Sequence, residues 1–250
     1  MCPWLHWLCS SPELMAFPEP FHFPRSQANT MHVGLNNVPR FQPSNKRLGF
    51  VFEDLLLHFF SYHPDYQLLA HNLQIHHQGK TLGAFDFIVH YLPNNEVQHI
   101  EATIKYYLAK PSNTSDNGWC FLGPNKNDSL DKKWQHMHTK QLRLRETETA
   151  KEVLLKQGIC IDHAYGFSRG AIYWPKGSTA EFEPMLQQGH KQGIWLHQQQ
   201  LHQQQLNLVE KHYWPLPQLA PQQPYMATEK AQMAFDAQSQ HEVFITPDGW

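Results

Sequence analysis

Three ionisable side chains interrupt two apolar stretches in the segment 83–108 of this chain. Asp86 lies within a run rich in Phe, Ile and Val, and Glu101 and Lys105 lie within the next run. An ionised side chain close to a core is costly unless it is paired with another charge or bound to a metal. Two converging carboxylates offer oxygen ligands to a divalent cation such as Mg²⁺, and a nearby lysine can position a water or neutralise charge on a phosphate. This set of residues indicates metal-assisted phosphodiester hydrolysis.

The same three residues also have a purely structural interpretation. Glu101 and Lys105 can form an ordinary ion pair on an exposed sheet face, with Asp86 as a surface acid near a turn. Structural ion pairs produce such patterns in many proteins. Taken alone, the two runs favour neither interpretation.

The elements around these residues follow from the apolar periodicity. The two runs have the Val, Ile, Phe and Tyr content of β-strands, and the Pro-Asn-Asn-Glu sequence at 93–96 predicts the turn of a hairpin between them. A period of two places Glu101 and Lys105 on one strand face. Upstream, residues 47–60 have helical spacing with Glu53 beside the apolar stripe, and residues 66–75 predict a strand. The predicted order is one helix, three strands and a second helix.

A helix with an acid, a strand with Asp and a following strand with Glu and Lys together resemble the PD-(D/E)XK superfamily of nucleases, also called restriction-endonuclease-like. Several short motifs look more narrowly like one uncharacterised bacterial branch of that superfamily, a domain of unknown function. These motifs are Leu48-Gly49-Phe50 with Glu53, Thr81-Leu82-Gly83 with Asp86, Ile100-Glu101 with Lys105-Tyr106-Tyr107-Leu108, and Gly123-Pro124 with Asp128, Leu130 and Lys133.

The resemblance implies an α/β fold, with a mixed central sheet flanked by helices, and an endo- or exonuclease that depends on Mg²⁺ or Mn²⁺. It makes Asp86 and Glu101 the metal ligands, Lys105 the active-site lysine and Glu53 an auxiliary acid. The superfamily lysine usually follows the acid by two residues. Here it follows by four, about 13 Å between α-carbons along a strand, so Lys105 would have to fold back. Ala84 replaces an acid that many relatives carry, which predicts a metal site with fewer charges.

The expected partner is nucleic acid, with DNA favoured over RNA. The formal net charge of the whole chain is −2, so binding must depend on a local basic surface. The segment 126–145 has such a local excess on a predicted helix, and its residues are expected to contact phosphates. A solvated helix face is the alternative interpretation. The expected contacts are Lys132, Lys133, Lys140 and Arg143, together with Gln141, which resembles a polar position that some members use near the scissile phosphate.

A non-catalytic nucleic-acid-binding or scaffold protein that retains a nuclease-like fold is the alternative function. The position of Lys105 and the presence of Ala84 favour this alternative. Glu53, Asp86 and Glu101 favour the enzyme. A metal measurement separates the two, because a scaffold has no reason to keep affinity for manganese at its carboxylates.

The rest of the chain indicates how the protein is organised. We expect an N-terminal helix and irregular arm (1–45), a nuclease-like α/β core (46–175) and a helical or irregular C-terminal extension packed on the core (176–250). Residues 159–174 predict one or two strands broken at Gly166 and Gly170. The polar stretch 109–130 predicts a long loop in which Trp119 and Phe121 either pack beneath the loop or stack on a base.

Compartment and partners are inferred from composition. The four cysteines form no CxxC pair, which is typical of free thiols in a reducing compartment. The apolar start of the chain is short and has no basic leader, so it predicts a packing helix and not a signal peptide. The expectation is a cytoplasmic protein without a membrane partner. The sequence gives no prediction of its oligomeric state.

Overall fold

The computed structural model describes residues 1–113, 118–179, 181, 183–201 and 205–250. The α-helices in these residues are α1 (Pro3–Ser10), α2 (Arg25–Thr30), α3 (Leu48–Tyr62), α4 (Leu130–His136) and α5 (Glu148–Lys156). A π-helical turn, Met137–Gln141, continues α4 without a break. The strands are β1 (Tyr66–His77), β2 (Lys80–Tyr91), β3 (Glu96–Pro111), β4 (Trp119–Leu122), β5 (His163–Pro175), β6 (Lys191–His197), β7 (Leu206–Val209), β8 (Gln232–Asp236) and β9 (His241–Thr246).

The strands of the described residues form one mixed sheet in the order β1-β2-β3-β5-β6-β9-β8-β7, and β4 pairs with the end of β3. The hairpin pairs β1-β2 and β2-β3 are antiparallel. From β3 through β5 and β6 to β9 the neighbouring strands are parallel. The mixed α/β class is confirmed. The predicted order of one helix, three strands and a second helix is found with one difference, because β4 lies between β3 and α4 within the stretch that was predicted to be a long loop.

Helices cover both faces of the first half of the sheet. The apolar stripe of α3, which includes Leu55 and Phe59, packs on one face together with α1. On the opposite face, Leu130 and Met137 of the α4 segment pack on β3 and β5. Helix α5 covers β1 and β2 on that same face through Ala150 and Leu154. The face of β3 that carries Glu101 is therefore roofed by the segment 130–141.

Strands β2 and β3 separate at one defined point. Their antiparallel register runs from Tyr91↔Glu96 to Phe87↔Ile100 and ends there. Strand β3 continues for eleven further residues, paired on its other side with β5. The next residue on each strand beyond the last pair is Asp86 on β2 and Glu101 on β3. We call this point the strand junction, defined by Asp86, Glu101 and Ala102.

Strand β5 is continuous, so the predicted break at Gly166 and Gly170 is wrong. Both glycines are required by close contacts. A Cβ on Gly166 would lie 2.5 Å from the Phe17 ring, and a Cβ on Gly170 would lie 1.7 Å from the carbonyl oxygen of Lys105 on β3. Gly170 also has φ +134°, a conformation that side chains with a Cβ rarely adopt. These glycines let the N-terminal arm and β3 approach the strand.

The C-terminal third differs from the expected helical or irregular extension. Its four strands, β6 to β9, extend the sheet beyond β5. They are short, and proline-rich or glutamine-rich segments separate them, so no long apolar period is present in the sequence. Trp195 and Phe244 on these strands join the same core as α3. Residues 176–250 therefore belong to the sheet that carries the strand junction.

The N-terminal arm is held to β5 by an ion pair between the half-buried Glu13 and the buried Arg169. Glu13 accepts hydrogen bonds from the backbone N–H and the hydroxyl of Ser168, at 2.6 and 2.8 Å. It also pairs with Arg169, which is 2% exposed. The Arg169 guanidinium donates to the carbonyl oxygen of Leu8 at the same time. This network fixes α1 and the following residues against the sheet.

Candidate active site

The structure brings Asp86 and Glu101 together at the strand junction. Asp86 lies on β2 between Phe85 and Phe87, which pair with Leu73 and His71 of β1. The pairing of β2 with β1 thus continues past the point where its pairing with β3 ends. Asp86 Oδ2 accepts a hydrogen bond from the backbone N–H of Ala102 at 3.0 Å. The Asp86 carboxyl therefore occupies the place where a continued β2 would have paired with β3.

The two carboxyl groups lie close enough to share a hydrogen bond when one of them is protonated. Burial and then the charge of Glu101 raise the pKa of Asp86 to about 7. Burial likewise raises the pKa of Glu101 to about 7, against the opposing charge of Lys133 and hydrogen bonds with Asp86 and Gln141. Glu101 is 1% exposed. Two carboxyl groups with raised pKa values destabilise the folded protein when both are ionised. Such carboxyl groups are common at functional sites.

A lysine and a glutamine from the roof complete the polar cluster. The Gln141 side-chain amide donates to Glu101 Oε1, and its Oε1 accepts from Lys133 Nζ at 3.1 Å. Lys133 lies on α4, whereas Gln141 ends the π-helical turn. Burial lowers the pKa of Lys133, and the charges of Glu101 and Asp86 oppose that effect. The cation next to the carboxylates therefore comes from the helix.

Lys105 does not fold back to the carboxylates, as the sequence interpretation requires. Its Nζ lies 2.5 Å from Asp128 Oδ2, in the loop that leads into α4. Lys133 is the lysine whose charge acts on Glu101. The physical reason is reach, because Lys105 lies four positions along the strand from Glu101 and a closer acid is available in the loop. Lys105 lies in the wall of the site and is held away from its centre.

The carboxylates lie at the base of an open cavity of about 450 Å³, which we call the carboxylate cavity. Glu53 on α3 lies in its wall, and Glu53 Oε1 lies 3.2 Å from His71 Nε2 on β1. The cavity is bounded by the first turns of α3, the strand junction, β3 and the α4 roof. Its lining residues are Arg47, Gly49, Phe50, Phe52, Glu53, Asp86, Phe87, Glu101, Ala102, Thr103, Ile104, Lys105, Lys133 and Gln141.

Three of the predicted phosphate contacts lie outside this cavity. Lys132 and Lys140 are exposed. Arg143 pairs with Glu146 at 3.3 Å and stacks over the ring of Phe21. Their role in binding stays a prediction.

The two aromatics of the predicted loop are packed and do not face the cavity. Phe121 on β4 is 4% exposed, and Trp119 makes an edge contact with Trp174. Residues 114–117 of the same predicted loop lie outside the described part of the chain.

The strand junction has oxygen atoms suited to ligate a hard cation. Glu101 Oε2 is buried and has no hydrogen-bond partner among the described residues. The Ala102 N–H points at Asp86, and its carbonyl points the same way, because both groups of one strand residue face one side. Across the described residues, no group of three or more His, Cys, Asp or Glu is placed to hold a metal. A bound ion would therefore take Asp86, Glu101, the Ala102 carbonyl and waters, a set that suits Mg²⁺.

His99 lies beneath the junction and was not predicted to belong to the site. It is fully buried, with its Nε2 3.4 Å from Glu101 Oε2 in a geometry that does not form a hydrogen bond. Burial lowers the pKa of His99 to about 4, so the ring is neutral at pH 7. A neutral ring leaves the second oxygen of Glu101 available to a ligand.

Comparison with known proteins gives a family and no further relative. Neither a curated protein nor a solved structure matches the chain. Within the described residues, no helix has both the length and the apolar character needed to cross a bilayer. One family model matches residues 4–244, which include every element from α1 to β9 in whole or in part. The chain therefore belongs to the family described as Domain of unknown function (DUF1853).

Proposed function

We propose that this protein is a metal-dependent nuclease that hydrolyses phosphodiester bonds in nucleic acid. The observation that carries the proposal is that the half-buried Asp86 and the buried Glu101 place their carboxyl groups within hydrogen-bonding reach at the base of an open cavity. Burying two such groups side by side costs stability, and a divalent cation between them removes that cost.

The arrangement of elements supports a restriction-endonuclease-like core. Helix α3, the strands β1 to β3, the α4 segment and the parallel strand β5 follow one another in that order. Asp86 and Glu101 lie where β2 and β3 part, and Glu53 reaches the same cavity from α3. The carboxylate cavity thus brings together the acid Glu53, the carboxylate pair and a lysine, Lys133.

Each residue has a role that its position allows. Asp86, Glu101 and the Ala102 carbonyl would hold Mg²⁺ or Mn²⁺, which lowers the pKa of a bound water and stabilises charge on a phosphate. Lys133 contributes a positive charge beside the carboxylates, where it can orient a water or balance the transition-state charge. Gln141 links Lys133 to Glu101 and so fixes both side chains.

A manganese titration by calorimetry, paired with cleavage assays, tests this function. Wild type should bind Mn²⁺ and cut single-stranded or duplex oligonucleotides, while Glu101→Gln should lose both properties. Glu152→Gln is the matched control, because it removes an exposed acid of α5 outside the cavity. Wild type that binds no Mn²⁺ would refute the proposal. Wild type that binds nucleic acid but cuts neither DNA nor RNA would favour the non-catalytic binding protein.

A further inference from the structure

Phe50 presents a large aromatic ring at the mouth of the carboxylate cavity. It lies in the first turn of α3 and is 46% exposed. Of the described residues with large exposed apolar side chains, Phe50 is the one that lines this cavity. Glu53 follows it by three residues on α3 and so lies on the same helix face. The ring therefore stands on the same wall as an acid of the site.

Arg47 places a positive charge beside this ring. Its guanidinium carbon lies 5.9 Å from the centroid of Phe50, and the residue is exposed on the cavity wall. Arg47 is also the N-cap of α3, and its side chain does not cap the first-turn amides. A guanidinium and free amides at a helix start both attract phosphate. The aromatic ring of Phe50, which can stack on a base, and the charge of Arg47, which can bind a phosphate, thus lie side by side.

The depth of the carboxylates restricts what can reach them. Glu101 is 1% exposed, and the cavity above it has a volume of about 450 Å³. The flexible backbone of one unpaired strand can bring a phosphate down to the cavity base, whereas a rigid duplex presents its phosphates on a broad surface. An unpaired strand also exposes base faces for stacking on an aromatic ring.

From these observations we infer that the carboxylate cavity takes single-stranded nucleic acid. Phe50 stacks on a base next to the scissile phosphate, and Arg47 binds the neighbouring backbone phosphate. This inference rests on the proposed nuclease function and specifies its substrate class. Lys133, on the opposite wall, faces the phosphate from the other side.

Binding measured without cleavage tests the inference. Fluorescence anisotropy with Ca²⁺ in place of Mg²⁺ would compare a labelled oligodeoxythymidylate of about twelve nucleotides with a hairpin duplex of equal length. Wild type should prefer the single strand. Phe50→Ala should weaken single-strand binding about tenfold, as loss of one stacked base does, and Phe50→Tyr should retain it. Tyr62→Ala is the matched control, since Tyr62 is a similarly exposed aromatic on the last turn of α3.

The outcomes separate this inference from the proposed function. Equal affinity of wild type for the single strand and the duplex would overturn the inference, as would full binding by folded Phe50→Ala. An equal loss in Tyr62→Ala would also overturn it, because the effect would then not depend on the cavity. If the protein binds the single strand through Phe50 but takes up no Mn²⁺, the single-strand site is supported and only the nuclease function is refuted.

Discussion

Replacing Asp86 by Asn should stabilise the metal-free protein at neutral and alkaline pH. Burial and the adjacent Glu101 raise the pKa of Asp86 from its usual 3.8 to about 7. Between these two pH values the folded chain holds more protons than the unfolded chain. The free energy of unfolding therefore falls as the pH rises through this window, and the loss is complete above pH 7. An asparagine side chain carries no charge and avoids this loss.

The size of the effect follows from the change in proton affinity. A tenfold change in affinity corresponds to about 1.4 kcal/mol, so the pKa of Asp86 sets an upper limit of about 4 kcal/mol. Asp86 and Glu101 titrate as a pair, and we expect about half of this limit, about 2 kcal/mol, from removing one charge. For a chain of this length, that corresponds to a rise in Tm of about 4–8 °C. The side-chain amide of the Asp86→Asn variant would keep an oxygen acceptor for the Ala102 N–H.

Thermal melts in EDTA across the range from pH 8 down to pH 5 provide the measurement. The advantage of Asp86→Asn over wild type should shrink as the pH falls towards 4. Glu152→Gln, which removes an exposed acid, should show no such trend. Added Mn²⁺ at pH 8 should raise the Tm of wild type but not of Asp86→Asn, because a ligand stabilises the state that binds it. If Asp86→Asn lowers the Tm equally at every pH, the carboxylate is a structural hydrogen-bond acceptor and the reasoning fails.

Two other predictions concern the lysines and the N-terminal arm. Lys133→Met should reduce single-turnover cleavage about 100-fold, as loss of one transition-state charge contact does, while Lys105→Met should have the smaller effect. A larger loss of cleavage in Lys105→Met than in Lys133→Met would assign the catalytic role to Lys105. Glu13→Gln should lower the free energy of unfolding in urea by about 3–5 kcal/mol, because it leaves Arg169 buried without its counter-charge. A loss below about 1 kcal/mol would show that water solvates this arginine.

The carboxylate pair could be predicted from sequence because its signal is local. Asp86 and Glu101 each interrupt a strand-forming run, and a short turn joins the runs, so a hairpin brings them to neighbouring positions. Helix α3 and strands β1 to β3 were predictable for the same reason, since their apolar patterns are long enough to be recognised locally. Local pattern therefore determined the half of the site that lies on the sheet.

The helix half of the site depends on packing between distant segments. Lys133 was predicted to contact phosphate because it lies in a basic segment, yet its place on α4 carries a further signal. It falls between Leu130 and Trp134, at the spacing of the apolar stripe that packs on the sheet. A lysine on the buried face of a helix indicates a buried partner. The sequence does not say which partner, since the carboxylates precede it by more than thirty residues.

The strands of the C-terminal third were missed for a different reason. β7 has four residues and β8 has five, which is too short for a period of two to be recognised between glutamine-rich and proline-rich segments. Their pairing partners are also distant, because β6 pairs with β9 in parallel across more than forty residues. Such strands are specified by the core they complete, through residues such as Trp195 and Phe244.

Lys105 does not supply the positive charge beside the carboxylates, but it contacts the loop that precedes the helix supplying that charge. Its ion pair with Asp128 ties β3 to the loop that leads into α4. The same loop is closed by a hydrogen bond from the Gly123 N–H to the Asp128 carbonyl, and a Cβ on Gly123 would lie 2.1 Å from the Asp128 carboxylate. This loop therefore fixes the start of α4 relative to β3. Since Lys133 lies one turn into that helix, Lys105 can act on the site by positioning the helix that supplies the charge.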